Sequence, residues 1–255
     1  MKYLIRNQKM SKMKLSQYVL IIVVLLTLNL SCSKSSYVVD AAPNSALTAV
    51  NAVIGSNPVI VNFTNNIPVQ TYYSTTQRIS YGSSYEYSIV SNSTPVTVFQ
   101  TTDTLHPEFQ GTLQFQPNLI YSLFLSGVYN SQNQPDTLLT VDNPPYYPAS
   151  DSMTGVRFVN LSPGSNPIAV NIKGNANGSE VSNLAYKAIT SFKAYPATSK
   201  ITQYIFEIRD ATSGVLLTSY SYNKLARFKN VTVVLSGMNG GAGSNAIRTF
   251  LVNNY

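Results

Sequence analysis

A long segment occurs twice in this sequence, and the repeat constrains the fold more than any other feature. Residues 50–63 align with residues 159–172 at an offset of 109, and eight of the 14 aligned positions are identical. Two shorter matches follow in the same order: Leu-Ser-Gly at an offset of 110, and Val-Asp-Asn against Val-Asn-Asn at 111. A period near 110 residues is too long for a solenoid repeat and is typical of a duplicated domain.

Apolar and polar residues alternate within each copy, as at 112–116, 204–209 and 231–236. A period of two places one face of a strand on a core and the other toward water. Gly-Ser-Asn-Pro, at 55–58 and 164–167, favours a turn, and we expect it to close the first hairpin of each copy. Six to eight short strands in about 105 residues predict an all-β chain of two tandem antiparallel β-sandwiches.

The repeat places the first sandwich at residues 44–143 and the second at residues 153–255. Three of the first five residues of the segment 144–152 are prolines, which cannot continue a sheet. This segment is therefore predicted to be an extended, fairly stiff linker. Tyr146 and Tyr147 within it are expected to pack against the prolines; the alternative is a ligand platform.

The N-terminus has the composition of a secretory signal peptide. Residues 1–31 hold five Lys and Arg and no acid, and an apolar run covers residues 18–28. A basic stretch followed by about a dozen apolar residues is typical of such a signal. The run is shorter than the roughly 20 residues that span a bilayer. Met13, in Met-Lys-Leu, is an alternative start of the chain.

The only cysteine, Cys32, stands where the signal peptide would be cut. Leu30, Ser31 and Cys32 resemble the lipobox of bacterial lipoproteins, in which the cysteine sulfur receives a diacylglyceryl group and the new amine is acylated. Residues 32–43 are then a lipidated cysteine and a polar tether, anchored by several acyl chains such as palmitate. Ser33, where an inner-membrane retention signal has Asp, favours the outer membrane. The alternative is a plain signal peptide and an unmodified cysteine.

Most of the net charge of +7 belongs to the signal peptide. Residues 33–255 carry 12 basic and 10 acidic side chains, so the high pI is no argument for nucleic-acid binding. The copies differ in sign, with −6 in residues 40–152 and +7 in residues 153–255. We expect that the halves attract each other, or that the basic half meets an acidic glycan or lipopolysaccharide. The alternative is scattered solvated charge.

Residues 156–165, Val-Arg-Phe-Val-Asn-Leu-Ser-Pro-Gly-Ser, resemble the opening of the bacterial family catalogued as domain of unknown function 4397. Val-Leu-Ser-Gly, a Gly-rich loop and the closing Val-Asn-Asn at 252–254 are similar to the end of that family. The resemblance covers residues 154–255 and reaches residues 45–143 through the repeat. It implies exported, often lipid-anchored proteins with immunoglobulin-like β-sandwiches, and it brings no activity and no catalytic residues.

Few residues are suited to catalysis or metal binding. One Cys and one His exclude an internal disulfide, a Cys-based zinc cluster and a multi-histidine site. The Gly-rich residues 237–244 lack the Lys and the helix of a P-loop and are predicted to be a hairpin loop. His106, beside a proline, is predicted to lie in a surface loop without a serine elbow. The ten acids are scattered, so neither a glycosidase pair nor a Ca²⁺ loop is indicated.

These observations predict a lipid-anchored cell-envelope protein with a binding or structural role, which is not an enzyme and has no cofactor, metal or catalytic residue. The expected partners are the membrane, through the anchor, and a glycan or envelope protein, but not nucleic acid. One alternative is a glycan-binding accessory lipoprotein of a polysaccharide-uptake system, which Tyr-rich strand faces would support. A secreted hydrolase is the second, and it would need converging acids or a site around His106.

Overall fold

The computed structural model describes residues 44–64, 77–132 and 134–254. These residues belong to one compact unit, Ala42–Tyr255. The predicted signal peptide, Cys32 and the tether lie outside the described residues. Within the described part, no helix is long and apolar enough to cross a membrane.

The first copy, called the first half below, has seven strands among its described residues. They are β1 (Asn44–Val53), β2 (Val59–Asn62), β3 (Ser83–Val90), β4 (Asn92–Gln100), β5 (Phe109–Phe115), β6 (Ile120–Gly127) and β7 (Asp136–Asp142). One sheet has the strand order β3-β1-β6-β7, and the other has the order β2-β4-β5.

The second copy, called the second half, has eight described strands. They are β8 (Met153–Asn160), β9 (Ile168–Ile172), β10 (Val181–Leu184), β11 (Lys193–Pro196), β12 (Tyr204–Asp210), β13 (Leu216–Tyr222), β14 (Asn230–Ser236) and β15 (Arg248–Asn254). Its sheets have the orders β11-β8-β14-β15 and β10-β9-β12-β13. A short 3-10 turn, Gly243–Asn245, lies in the loop before β15.

Corresponding strands occupy corresponding places in the two halves, and the predicted all-β chain of two β-sandwiches is confirmed. The structure differs from the predicted antiparallel sandwiches in the direction of two strand pairings. β1 pairs in parallel with β6, and β8 pairs in parallel with β14, whereas the other pairings are antiparallel. The alternating pattern shows which face of a strand is buried, but it contains no information about the direction of a neighbour that lies far along the chain.

Three apolar clusters are formed by the described residues. The first lies between the sheets of the first half, and the second lies between the sheets of the second half. The third lies where the sheet containing β1 packs on the sheet containing β8, and we call this contact the junction. It is formed by Val50, Ala52, Phe124, Val159, Leu161, Val234 and Val252. The two halves therefore share a buried apolar contact.

The junction corrects the interpretation of the alternating pattern in β14. Val231, Val233 and Leu235 face the core of the second half, as expected. The opposite face, with Thr232, Val234 and Ser236, was expected to meet water, but every residue of β14 is buried. A mixed polar and apolar face resembles a solvated one in sequence, and only the packing of the first half against it excludes water.

The repeated Gly-Ser-Asn-Pro turn does not close a hairpin, so that expectation is wrong. The turn follows β1, and β2 lies in the opposite sheet, so the chain crosses between the two layers of the sandwich. Asn51, at the end of β1, accepts a hydrogen bond from the amide of Val53 and donates to the carbonyl of Ile79. Its counterpart Asn160 makes the same pair of bonds. The repeated Asn thus satisfies backbone groups where the strand leaves its sheet.

Candidate functional site

A buried ion pair joins the two halves at the junction. Arg157 of β8 donates from Nη1 to Oδ1 of Asp142, the last residue of β7, at 2.8 Å, and both side chains are almost fully buried. The Nε of Arg157 donates to the hydroxyl of Thr232 at 2.7 Å. Ser122 donates to Oδ2 of Asp142, and Thr140 donates to Oδ1. Each charge is thus hydrogen-bonded, as a buried ion requires.

A second ion pair crosses between the halves at the surface. Lys187 lies 3.4 Å from Oδ1 of Asp136, whose Oδ2 accepts a hydrogen bond from the hydroxyl of Tyr186. Burial is the main cause that raises the pKa of Tyr186, to about 12, so this hydroxyl remains a donor at neutral pH. The opposite charges of the halves therefore meet in two places, in line with the expectation that the halves attract each other.

A groove runs along the junction beside the buried ion pair. Its volume is about 420 Å³. The guanidinium of Arg157 lies 4.5 Å from the centre of the Phe192 ring, which is the distance of a cation–π contact. Because Arg157 is held by Asp142 and Thr232, it supports this ring from a fixed position. The groove is lined by Thr140, Val141, Asn143, Pro145, Arg157, Ile189, Thr190, Ser191 and Phe192.

A second cavity of about 290 Å³ opens between the edge strands β10 and β11, and we call it the β10–β11 cleft. Val156 and Phe158, which belong to the core of the second half, form its apolar floor. Its polar lining comes from Glu180, Ser182, Asn183, Thr190, Ser191, Lys193 and Tyr195. Thr190 and Ser191 line both this cleft and the junction groove, so the two cavities are neighbours.

Glu180 is the one carboxylate among the cleft-lining residues, and it is held in place from two sides. Its Oε2 accepts hydrogen bonds from the ammonium of Lys193 at 2.8 Å and from the hydroxyl of Tyr195 at 2.6 Å. Burial, together with this bond, raises the pKa of Tyr195 above its usual range. The cleft therefore presents a fixed carboxylate, a lysine and a neutral phenol beside hydroxyl and amide groups.

A buried acid also lies in the first half, away from both cavities. Glu108 accepts a hydrogen bond from the hydroxyl of Tyr129, and its Oε2 is buried without a hydrogen-bond partner among the described residues. Burial raises the pKa of Glu108. Hydrogen bonds from Tyr129 and Gln100 act in the opposite direction, but burial is the larger effect on this pKa.

The other residues singled out in the sequence are accounted for as follows. Cys32 lies outside the described residues, so its lipidation stays a prediction. His106 is on an exposed loop, as predicted, and its ring nitrogen contacts Asp103 at 2.9 Å. The residues 237–244 join β14 to β15, which pair antiparallel, so the predicted hairpin loop is confirmed. Tyr147 is buried, whereas Tyr146 is 87% exposed, so the expectation that both rings pack against the prolines is wrong for Tyr146.

Sequence reasoning missed Glu180, Lys193 and Tyr195 as a group. They lie within 16 residues of one another, but their spacing matches no motif, and the gap between two sheet edges brings them together. It also missed the role of Arg157, for which a signal existed. A lone charge in the run Val-Arg-Phe-Val indicates either an exposed edge or a buried partner, and the partner is Asp142.

Comparison with known proteins adds little. No protein-family model matches the chain, and no curated protein matches it. Among solved structures, the chain is similar to one described as alpha-glucan recognition by family 41 carbohydrate-binding modules from streptococcal virulence factors. The two are 11% identical, the match covers 82% of this chain and 97% of the other, and the TM-score is 0.27. The class, an all-β protein of two β-sandwiches joined by a buried contact, rests on the strands and cores described above.

Proposed function

We propose that this chain is a lipid-anchored, non-catalytic binding protein of the cell envelope, and that the β10–β11 cleft binds the end of a glycan. The observation that carries the proposal is the cleft itself, with its apolar floor and polar rim. The anchor rests on Cys32 and the signal-like residues 1–31. The resemblance of residues 154–255 to a family of exported, often lipid-anchored proteins points in the same direction.

The lining of the cleft suits a sugar. A pyranose ring presents hydroxyls around its edge and C–H groups on its faces, so it needs hydrogen-bonding groups beside an apolar surface. Ser182, Asn183 and Ser191 are exposed at the rim, and Phe158 lies at the floor. A volume of about 290 Å³ is near the lower end of roughly 300–1,000 Å³ for ligand pockets. It therefore suits one sugar unit, and the junction groove would accept the units that follow.

The same lining supports a binding role over hydrolysis. Glycoside hydrolysis commonly uses two carboxylates on opposite sides of the bond that is cleaved. Glu180 is the one carboxylate lining the cleft, and it already accepts hydrogen bonds from Lys193 and Tyr195. Its role in this proposal is to orient those two side chains, not to transfer a proton.

The glycan proposal is tested by calorimetric titration of the mature chain, residues 32–255, with oligosaccharides selected on a glycan array. We expect Asn183→Ala combined with Ser191→Ala to lower affinity on the order of tenfold, because each hydrogen bond contributes about 0.5–1.5 kcal/mol. Asn239→Ala, an exposed residue of the β14–β15 loop, is the control and should leave affinity unchanged. If no glycan binds, or if the double variant binds as tightly as the native chain, the proposal is wrong.

The anchor is tested separately by growing cells with radiolabelled palmitate. We expect label in the native chain and none in a Cys32→Ala variant. Equal labelling of both, or none in either, would overturn the lipid anchor but would say nothing against the cleft.

A structural role is a second candidate, favoured by the junction. The shared apolar cluster and the buried pair Asp142–Arg157 fix the two halves to each other, as a spacer in an envelope assembly would require. This role predicts that substitutions in the β10–β11 cleft have no effect in cells, whereas substitutions that destabilise the junction impair the assembly.

A further inference from the structure

The ten basic residues of the second half differ in their surroundings. Four form ion pairs with acids: Arg157, Lys187, Lys193 and Arg209. Arg248 stacks on the ring of Tyr81 at 4.7 Å. The remaining five are all exposed and lie in loops between strands: Lys173, Lys200, Lys224, Arg227 and Lys229.

These five residues lie at one end of the second half, which we call the basic end. The amide of Lys173 donates to Ile205, at the beginning of β12. Lys200 lies in the loop that leads from β11 to β12. The loop 223–229 leads into β14, and the amide of Phe228 within it donates to Met153, the first residue of β8. The strands β8, β12 and β14 thus all begin at this end.

The first described strand, β1, begins at the same end. Ser236, at the end of β14, donates to the carbonyl of Ala52, near the end of β1. Ile120 of β6 pairs with Ala46, near the beginning of β1, on one side and with Asp142 on the other. Asp142 therefore lies at the same height in the sheet as the beginning of β1. It is bonded to Asn254, which pairs with Asn230 at the beginning of β14. β1 therefore runs in the same direction as β14, and Asn44 lies at the basic end.

We infer that the basic end is a second membrane contact, which lies on anionic phospholipid headgroups next to the lipid anchor. This inference rests on the proposed anchor at Cys32. The eleven residues between Cys32 and Asn44 span at most about 40 Å when extended. An anchored chain therefore holds the basic end close to the bilayer surface.

The chemistry of the basic end suits an anionic interface. Phe228 is 41% exposed between Arg227 and Lys229, and Tyr146 is 87% exposed in the neighbouring segment. Aromatic rings favour the headgroup region, and basic residues near an anionic surface add attraction that salt screens. Among the described residues of these loops the acids are Asp151 and Glu180, and Glu180 is already bound to Lys193. A lipid chain combined with a basic patch forms a more stable attachment than either alone.

Vesicle flotation of the mature chain with Cys32→Ser tests this contact without the acyl chains. The vesicles are phosphatidylcholine alone, or equal parts of phosphatidylcholine and phosphatidylglycerol. We expect binding to the anionic vesicles only, weakened at high salt. Lys224→Gln with Lys229→Gln should lower that binding on the order of tenfold, because each base near the surface contributes about 1 kcal/mol. Lys187→Gln with Arg248→Gln removes the same charge away from the basic end and should change binding little.

The outcomes separate this inference from the proposed function. Equal losses in the two double variants, no preference for anionic vesicles, or binding to lipopolysaccharide but not to phosphatidylglycerol would overturn the basic-end contact, even if palmitate labels Cys32. If palmitate fails to label Cys32 but only the Lys224 and Lys229 variant loses vesicle binding, the lipid anchor is wrong; the basic end then binds anionic lipid, but not as a second contact beside an anchor.

Discussion

Arg157 and Asp142 show how much one pair of residues decides in this protein. Arg157 lies within β8, Asp142 is the last residue of β7, and both side chains are almost fully buried. Their hydrogen bonds to Ser122, Thr140 and Thr232 come from both halves. Such a pair specifies how two surfaces fit together more than it adds stability, because removing two charges from water costs much of what their attraction returns.

Replacing one partner of this pair should lower the free energy of unfolding far more than replacing both. We expect Arg157→Met to lower the free energy of unfolding by about 3–5 kcal/mol, because it leaves Asp142 charged and buried. Adding Asp142→Leu to that variant should recover most of the loss. Lys187→Ala, which breaks the exposed pair with Asp136, should cost at most about 1 kcal/mol. Urea unfolding measures all three, and a double variant no more stable than Arg157→Met would contradict the argument.

Glu108 should give the stability a measurable pH dependence. Burial raises its pKa in the folded protein above the usual 4.5, so the folded state binds the proton more tightly than the unfolded chain does. The contribution of Glu108 to the free energy of unfolding is therefore complete below that usual pKa, and it declines as pH rises through the folded-state pKa. We expect Glu108→Gln to be more stable than the native chain at neutral pH, by a margin that vanishes in acid.

The control for this titration is Glu207. Hydrogen bonds from Arg209 and Asn171 lower its pKa, so its contribution is present at neutral pH and is lost as pH falls. Glu207→Gln should therefore change stability in the opposite sense. The urea unfolding midpoints of both variants and of the native chain are measured from acid to neutral pH. If the stability difference between Glu108→Gln and the native chain is the same at every pH, the raised pKa of Glu108 is refuted.

Among the strands, those next to the junction differ from the outer ones. β6 has Tyr121, Leu123 and Leu125 in the core of the first half, while Phe124 on its opposite face is fully buried in the junction. β5, at the edge of the outer sheet, instead alternates between exposed and less exposed residues. The period of two predicts both strands, because strand formation depends on local pattern. It does not distinguish a face covered by the other half from a face covered by water.

The hairpin between β14 and β15 depends on one glycine at its first turn. Gly237 has a φ of 87°, and a Cβ there would lie 2.2 Å from the carbonyl oxygen of Ala246. We expect Gly237→Ala to lower stability by more than the roughly 1–2 kcal/mol of left-handed backbone strain alone. Gly240→Ala has a similar φ of 76° and open space around it, so it should show the strain alone. Thermal unfolding of the two variants compares them, and equal losses would contradict the steric argument.

At the scale of the whole molecule, the junction predicts that the two halves unfold together. We expect amide protection in β4 of the first half and in β12 of the second half to disappear at the same urea concentration. Phe124→Ala, a fully buried junction residue, should cost about 3–5 kcal/mol and reduce the protection of both strands. Earlier loss of protection in one half of the native chain would show that the halves are independent.

The β10–β11 cleft shows why the candidate site could not be found from the sequence. The chain supplies Glu180, Lys193 and Tyr195 in ordinary strand and loop contexts, and no spacing marks them as a group. They converge because β10 and β11 are edges of different sheets, and the cavity between those edges lies over the core residues Val156 and Phe158. The charge difference between the copies, in contrast, can be read from the sequence. The sequence does not show which bases lie together at the basic end, because that depends on the directions of β8, β12 and β14.

The amino-acid sequence by itself determined that this protein is made of strands and that it contains one unit twice. Both follow from local information: a period of two, turn-forming residues and a repeated segment. Only the tertiary structure decided that the halves share a core and that Arg157 meets Asp142. It likewise decided which loops bring the exposed bases of the second half together. The physical reason is that burial and pairing are set by surfaces far apart along the chain, and a mixed polar strand face has the same sequence pattern whether it faces water or another sheet.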